Sequence, residues 1–188
     1  MKKTLYLKVV VCLIGILYLS ACSTSKTAEE KAQRQEQQRI TAQTARDAFT
    51  SQDFVFEANR IIFRSGRPAS TFPFTNFVMM QGEDVIIQTS LSVSNPGPNA
   101  IGGITIQGRA DNIQQSTARN GNLLIDFQVM AAQGLYRVNA ELFNNSDQGR
   151  VTVSATFSAD QFRFEGRILP AADADVYRGR FSVRSPRF

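Results

Sequence analysis

From Asp53 onward, apolar and polar residues alternate with a period of two over much of the chain. Val151 and Val153, for example, alternate with Thr152 and Ser154. This period is typical of β-strands that bury one face and leave the other in solvent. Because antiparallel sheets commonly have one solvated face, the alternation predicts an antiparallel sheet.

Turn residues divide this region into short segments. Gly82-Glu83-Asp84, Asn120-Gly121 and Gln133-Gly134 each lie between two apolar runs, as in β-hairpins. The segment 94–99 contains two prolines, which cannot donate hydrogen bonds in a sheet, so we expect a loop there. The predicted strands are 54–58, 77–80, 85–91, 104–110, 122–130, 135–143, 150–157 and 162–169.

A helix is predicted before the strands. The segment 28–48 is rich in Ala, Gln, Glu and Arg and contains neither Gly nor Pro, which favours a helix. Thr27 and Glu30 have the spacing of a capping box. Most of this helix has no apolar side, so we expect residues 22–40 to form a polar helical spacer. The apolar positions near its end are Ile40, Ala45, Ala48 and Phe49.

The N-terminus has the pattern of an export signal. Three lysines precede an apolar run at 9–18, which is shorter than the roughly 20 residues that a transmembrane helix needs. Leu19-Ser20-Ala21-Cys22 then resembles a lipobox, in which cleavage after Ala21 leaves a lipid-modified Cys22. The alternative is an ordinary secretory signal in which Cys22 is incidental. We expect a lipoprotein signal peptide at residues 1–21.

Lipid on Cys22 would hold the mature protein to a membrane, because two or more fatty chains anchor a protein stably. Ser23, rather than an acidic residue, follows the cysteine. We therefore expect a lipid-anchored protein of the cell envelope, on the outer membrane and facing the periplasm.

Residues 41–188 are expected to form a single β-rich domain with a frayed end at 182–188. The predicted fold class is mainly β (α+β), with an antiparallel, strongly curved sheet or partial barrel. A sheet that buries one face needs a cover, which a docked helix, a second sheet or curling of the sheet can each provide. The N-terminal helix is the natural candidate for that cover.

Composition restricts the chemistry of the mature chain. Removal of Lys2, Lys3 and Lys8 from the 21 basic residues leaves 18 against 16 acidic residues, a balance that predicts no nucleic-acid partner. The chain has no histidine, and of its two cysteines one leaves with the signal while the other carries lipid. Histidine-based triads, His-ligated zinc and cysteine nucleophiles are therefore excluded. No metal or cofactor is expected.

Four short motifs resemble a known family. They lie at 53–60 (an F-x-F-x-A strand), 82–84 (a glycine-acid turn), 102–106 (G-G-I-T-I) and 164–168 (F-E-G-R-I). Together with the lipobox and polar helix, they resemble lipoproteins of Bacteroidetes-type bacteria that carry the domain of unknown function 4251. The resemblance implies a mostly antiparallel β domain with a covering N-terminal helix, and it implies no activity. The segment 92–100 departs from the family, because it lacks the family's aromatic cluster.

Several side chains are candidates for a site. Arg60, Arg64 and Arg67 could hold an anionic lipid or glycan, although alternating arginines beside a strand are also ordinary surface charges. Asp173 and Asp175 have the spacing of a calcium loop but lack its distal Glu, so a solvated loop is favoured.

An aromatic and methionine-rich stretch at 72–80 could line an apolar groove, although core packing is the favoured interpretation. We therefore expect a binding or scaffolding module for an envelope protein, lipid or glycan. The alternative is a periplasmic hydrolase that uses carboxylates, which remain as catalytic candidates together with Lys, Tyr, Ser and Thr.

Overall fold

The computed structural model describes four stretches of the chain. They are residues 28–63, 65–90, 103–156 and 161–176. The predicted signal peptide, Cys22, Arg64, the loop at 94–99 and the expected frayed end at 182–188 lie outside the described residues.

One helix precedes nine strands. The helix α1 spans Ala28–Thr50, and short 3-10 helices lie at Pro73–Thr75 and Ala171–Asp173. The strands are β1 (Asp53–Phe63), β2 (Pro68–Ser70), β3 (Phe77–Gln81), β4 (Asp84–Ser90), β5 (Gly103–Thr117), β6 (Leu123–Ala131), β7 (Gly134–Leu142), β8 (Gln148–Ala155) and β9 (Gln161–Pro170). In the described part of the chain, no helix is both long and apolar enough to cross a membrane.

The strands form one antiparallel sheet that closes on itself. Its order is β2-β1-β3-β4-β5-β6-β7-β8-β9, and β9 pairs again with β1. Since β2 pairs only along part of β1, the closed ring contains eight strands and is barrel-like. This confirms the predicted mainly β fold with a strongly curved antiparallel sheet and an N-terminal helix.

Strand β5 is longer than the alternation predicts. It continues past residue 110 to Thr117, and its pairing with β6 shifts between Asp111 and Gln114. Asn112 lies in this irregularity with φ of 55°, a left-handed conformation that Asn tolerates better than most residues. The extra residue and the polar sequence break the period of two, which is why the extension is not visible in the sequence.

The main core fills the interior of the barrel. Inward-facing residues from each of the eight strands contribute to it, in agreement with the predicted alternation. On β9, Phe164 and Ile168 are buried whereas Arg163 and Arg167 are exposed. The largest buried side chains of this core are Phe49, Phe54, Phe56, Phe164, Ile61, Met80, Ile87, Ile125 and Ile168.

A second, smaller cluster buries part of the outer face. Val55, Phe77, Met79 and Ile86 point away from the barrel interior, yet each is at most 7% exposed. Half-buried residues at the end of β9 and directly after it pack against them, namely Leu169, Ala171, Ala174 and Val176. The sheet is therefore covered on both sides over β1, β3 and β4, where the sequence pattern alone predicts a single buried face.

The C-terminal turns of α1 close one end of the barrel. Ala45, Ala48 and Phe49 belong to the main core, and the ring of Phe49 lies 5.1 Å from that of Phe54. The predicted docking of these turns is thus confirmed, although the closing of the sheet itself buries most of the core. Residues 28–37 belong to a separate compact unit and are all exposed.

Candidate functional site

The two ends of the barrel differ. At the end that α1 closes, Phe54 of β1 pairs with Pro170 of β9. At the other end Phe63 pairs with Phe162, nine residues further along β1. A strand rises about 3.3 Å per residue, so these two pairs lie about 30 Å apart along β1. The site described below is at the end that α1 does not occupy.

An apolar cavity of about 210 Å³ lies inside the barrel at this second end. It is formed by residues of the five strands β4, β5, β7, β8 and β9 together with the turn between β6 and β7. The residues that line it are Ile87, Thr89, Ile104, Ile106, Gln133, Gly134, Leu135, Tyr136, Val153, Ala155 and Phe162.

The cavity has a buried floor and a more open rim. Ile87, Ile106 and Val153 belong to the main core and are at most 7% exposed, so they form its floor. Tyr136 and Phe162 are half-buried and pack against the same core. Ile104 is 44% exposed and lies at the rim, one inward position before Ile106 on β5. The cavity therefore opens from the core towards solvent.

Few hydrogen-bonding side chains reach this cavity. The hydroxyl oxygen of Thr89 accepts a hydrogen bond from the backbone N–H of Ile104 at 3.4 Å. The amide of Gln133 donates to the carbonyl oxygen of Thr105 at 3.5 Å, and Tyr136 contributes a phenol group. None of the described residues that line the cavity carries a charge. The site is suited to apolar contacts with a small number of neutral hydrogen bonds.

A buried polar cluster stiffens the outside of the same rim. Gln88 is fully buried on the outer face of β4, where its amide oxygen accepts a hydrogen bond from the Thr105 hydroxyl at 3.2 Å. Its amide nitrogen donates to the carbonyl oxygen of Thr75 at 3.2 Å. The side-chain oxygen of Asn76, also fully buried, accepts from the backbone N–H of Ser90 at 2.7 Å. These bonds fix the ends of β4 and β5 that border the cavity.

The arginines singled out from the sequence lie elsewhere. Arg60 is on β1, and its guanidinium is paired with the carboxylate of Glu165 at 3.3 Å. Arg67 is exposed in the turn between β1 and β2, and its carbonyl oxygen accepts a hydrogen bond from Phe63. Arg64 lies outside the described residues. None of the three is among the residues that line the cavity, and their role as an anion-binding set stays a prediction.

The acidic candidates are surface groups. Glu83 is in the turn between β3 and β4, and its hydrogen bond and charge, together with the charge of Asp84, raise the pKa of the Arg109 guanidinium. Asp173 and Asp175 are exposed in the segment after β9. Among the described residues, no group of three His, Cys, Asp or Glu side chains could hold a metal ion.

The predicted apolar groove at 72–80 is not present as a single surface. Met80 lies in the main core, while Phe77 and Met79 lie in the outer cluster. Phe72 and Phe74 are 74% and 45% exposed. Core packing is thus confirmed for the three residues on β3, because a strand sends alternate side chains to opposite faces.

Sequence analysis did not identify the cavity. Its residues come from five strands and one turn, and most of them lie at the same alternating inward positions as the core. The only available signal is the change to smaller or more polar residues at the strand ends, such as Thr89 and Ala155 at inward positions.

Comparisons with known proteins agree with this fold. Residues 34–168 match a family described as a domain of unknown function, DUF4251. A crystal structure of a DUF4251 family protein from Bacteroides eggerthii DSM 20697 is similar, with 29% sequence identity and a TM-score of 0.65 over 78% of this chain and 99% of that chain. No curated protein matches the chain. The match spans most of the sequence, and the protein therefore belongs to the DUF4251 family.

Proposed function

We propose that this protein is a membrane-anchored binding module of the cell envelope, and that the barrel cavity holds a small apolar ligand. The observation that carries this proposal is the cavity of about 210 Å³ in the barrel interior, at the end opposite α1. Eight-stranded barrels have interiors that are either filled by side chains or large enough for one small ligand. This barrel combines the two, with a filled core at one end and a cavity at the other.

The size and lining of the cavity support an apolar ligand. A buried cavity of about 150 Å³ can hold benzene, so this one has room for a somewhat larger ring system or a short aliphatic chain. Removal of apolar surface from water is worth roughly 25 cal/mol per Å². The walls come from strands of one closed sheet, in which residues 103–107 of β5 pair with β4 on one side only. The sheet forms the cavity before the ligand arrives, so little ordering is needed on binding.

Cys22 supplies the proposed membrane attachment. The lipobox supports a lipid-modified N-terminus, and the polar segment after it suits a spacer between membrane and barrel. The localisation that follows is the outer membrane on its periplasmic side, with the envelope as the source of the ligand.

We expect Cys22→Ala to abolish lipid attachment, because the thiol that accepts the diacylglyceryl group is lost. Metabolic labelling with a radioactive fatty acid measures this directly, with the unchanged chain as the positive control. Label that persists in the variant would contradict the proposed anchor.

Ligand binding can be tested with the neutral fluorophore 1-naphthylamine, whose emission shifts to the blue in apolar surroundings. We expect saturable binding to the chain that begins at Ser23. Ala155→Leu fills the cavity and should weaken binding by about tenfold or more. The neighbouring change Ser154→Leu, on the opposite face of β8, should leave the affinity within about twofold.

Absence of saturable binding, or equal effects of Ala155→Leu and Ser154→Leu, would contradict the cavity as the site. Circular dichroism of both variants checks that the barrel is intact.

Less evidence supports the alternative function, a carboxylate-dependent hydrolase. Such an enzyme needs two carboxyl groups about 5–9 Å apart across a cleft. Two further depressions in the described part of the chain each have a single carboxylate in their lining, Asp47 in one and Asp126 in the other. Asn139 donates a hydrogen bond to Asp126. This arrangement favours a surface hydrogen-bond pair over an acid–base pair.

A further inference from the structure

We infer that the ligand of the barrel cavity is uncharged at neutral pH, with an apolar body and at most a hydroxyl or amide at its outer end. This inference rests on the proposed function and deepens it by naming the ligand class. It excludes fatty-acid anions and other carboxylates of similar size.

The electrostatics of the lining carry the argument. Moving a charge out of water costs several kcal/mol unless an opposite charge or several hydrogen bonds compensate for it. No described residue of the lining is charged. Arg137 and Arg163 follow lining residues directly in sequence, but both point to the outer face and are exposed. A carboxylate in the cavity would thus lose its water without gaining a counter-ion from these strands.

The neutral polar groups of the lining set the chemistry of the ligand's outer end. The Thr89 hydroxyl, the Gln133 amide and the Tyr136 phenol come from the strand ends and from the β6–β7 turn. The floor, by contrast, is made of aliphatic side chains such as Ile87 and Val153. A hydroxyl or amide of the ligand can exchange hydrogen bonds with these neutral polar side chains, while the apolar body of the ligand packs against the aliphatic floor.

Two ligands that share the naphthyl body but carry a neutral hydroxyl or an anionic carboxylate test the inference. We expect 1-naphthol to displace 1-naphthylamine from the chain that begins at Ser23 at neutral pH, and 1-naphthoate to do so at least about tenfold more weakly. Direct calorimetric titration avoids the protonation of 1-naphthylamine at acidic pH. As the pH falls through the pKa of naphthoic acid, the apparent affinity of that ligand should rise while the affinity of 1-naphthol stays constant. Naphthoate that binds as tightly as naphthol at neutral pH would overturn the inference.

The outcomes separate this inference from the proposed function. Binding of 1-naphthylamine with no preference for naphthol overturns the ligand class and leaves the binding function standing. Loss of all naphthyl binding overturns both.

A charge placed at the rim provides a second test. Ile104→Lys adds a cation to the lining at a position that is 44% exposed, so the barrel should still fold. We expect it to raise the affinity for naphthoate relative to naphthol by about threefold to fivefold. Met130→Lys, at a position that is 58% exposed and not part of the lining, is the matched control and should leave the ratio unchanged. An unchanged ratio in Ile104→Lys would show that charge does not govern selection.

Discussion

At the scale of single residues, neighbouring positions on β9 have opposite environments. Phe164 is fully buried in the barrel interior, opposite Val151 of β8. Arg163, one position earlier, is exposed and lies opposite Thr152. Because side chains alternate between the two faces of a strand, Phe164 supports the core and Arg163 does not.

We predict that Phe164→Ala lowers the free energy of unfolding by about 3–5 kcal/mol, because it removes a buried ring and leaves a cavity. Arg163→Ala should lower it by less than about 1 kcal/mol, since its side chain is exposed. Urea unfolding followed by circular dichroism measures both. Similar losses for the two variants would mean that the register of β9 is different from the one described.

The residue type of Glu57 does not predict its environment. It is only 6% exposed although it is acidic, because it lies on the outer face of β1 opposite Phe77 and Arg167. Arg167 donates a hydrogen bond from Nε to one oxygen of this carboxylate at 2.9 Å, and a terminal guanidinium nitrogen forms an ion pair with the same oxygen at 2.8 Å. The pair satisfies a buried charge at the contact between the first and last strands.

At the scale of elements, the contact between β1 and β9 closes the barrel. The pairing shifts register between Ala58 and Arg60, opposite Gly166 of β9. A Cβ atom at Gly166 would lie 1.9 Å from the carbonyl oxygen of Glu57, far inside the normal contact distance. Only glycine allows the two backbones to approach this closely, which gives a physical reason for the glycine in the F-E-G-R-I motif.

We predict that Gly166→Ala lowers the free energy of unfolding by more than about 3 kcal/mol, since backbone atoms cannot move aside cheaply. Gly66→Ala is the matched control. Gly66 has φ of 80° and open space around it, so the substitution should cost about 1–2 kcal/mol from backbone strain alone. Thermal and urea unfolding measure the stability of the Gly166→Ala and Gly66→Ala variants. An equal or smaller loss for Gly166→Ala would argue against this closure of the sheet.

At the scale of the whole molecule, the helix belongs to two compact units. The boundary between them falls after Gln37, and residues 28–37 bury no side chain. The last turns of α1, in contrast, contribute Ala45, Ala48 and Phe49 to the barrel core. The polar segment should therefore be dispensable for folding, whereas the end of the helix should not.

We predict that a chain beginning at Gln38 melts within about 4 °C of the chain that begins at Ser23, which corresponds to about 1 kcal/mol at this size. Phe49→Ala in the shorter chain should lower the melting temperature by about 10 °C, because it opens the end of the core that α1 closes. Differential scanning calorimetry measures both changes. A drop of more than about 10 °C on truncation alone would show that residues 23–37 stabilise the barrel.

The sequence by itself determined the parts of this protein that depend on neighbouring residues. Alternation placed β3, β4 and β6–β9 within two residues of their observed bounds, and the Gly- and Asn-containing turns separated them correctly. The polar helix and its apolar end were likewise visible, because helix propensity and a short run of apolar side chains are local properties. The membership of the DUF4251 family followed from short motifs of the same kind.

Only the tertiary structure decided how the sheet ends meet and what space remains inside. The pairing of β1 with β9 joins Glu57 to Arg167 across 110 residues, and no local pattern specifies such a contact. The outer apolar cluster depends in the same way on residues at 169–176 folding back over β3 and β4. The cavity is the volume that inward side chains of five strands leave unfilled. That volume depends on strand tilt and on side chains distant in sequence, whereas alternation records only the face to which each residue points.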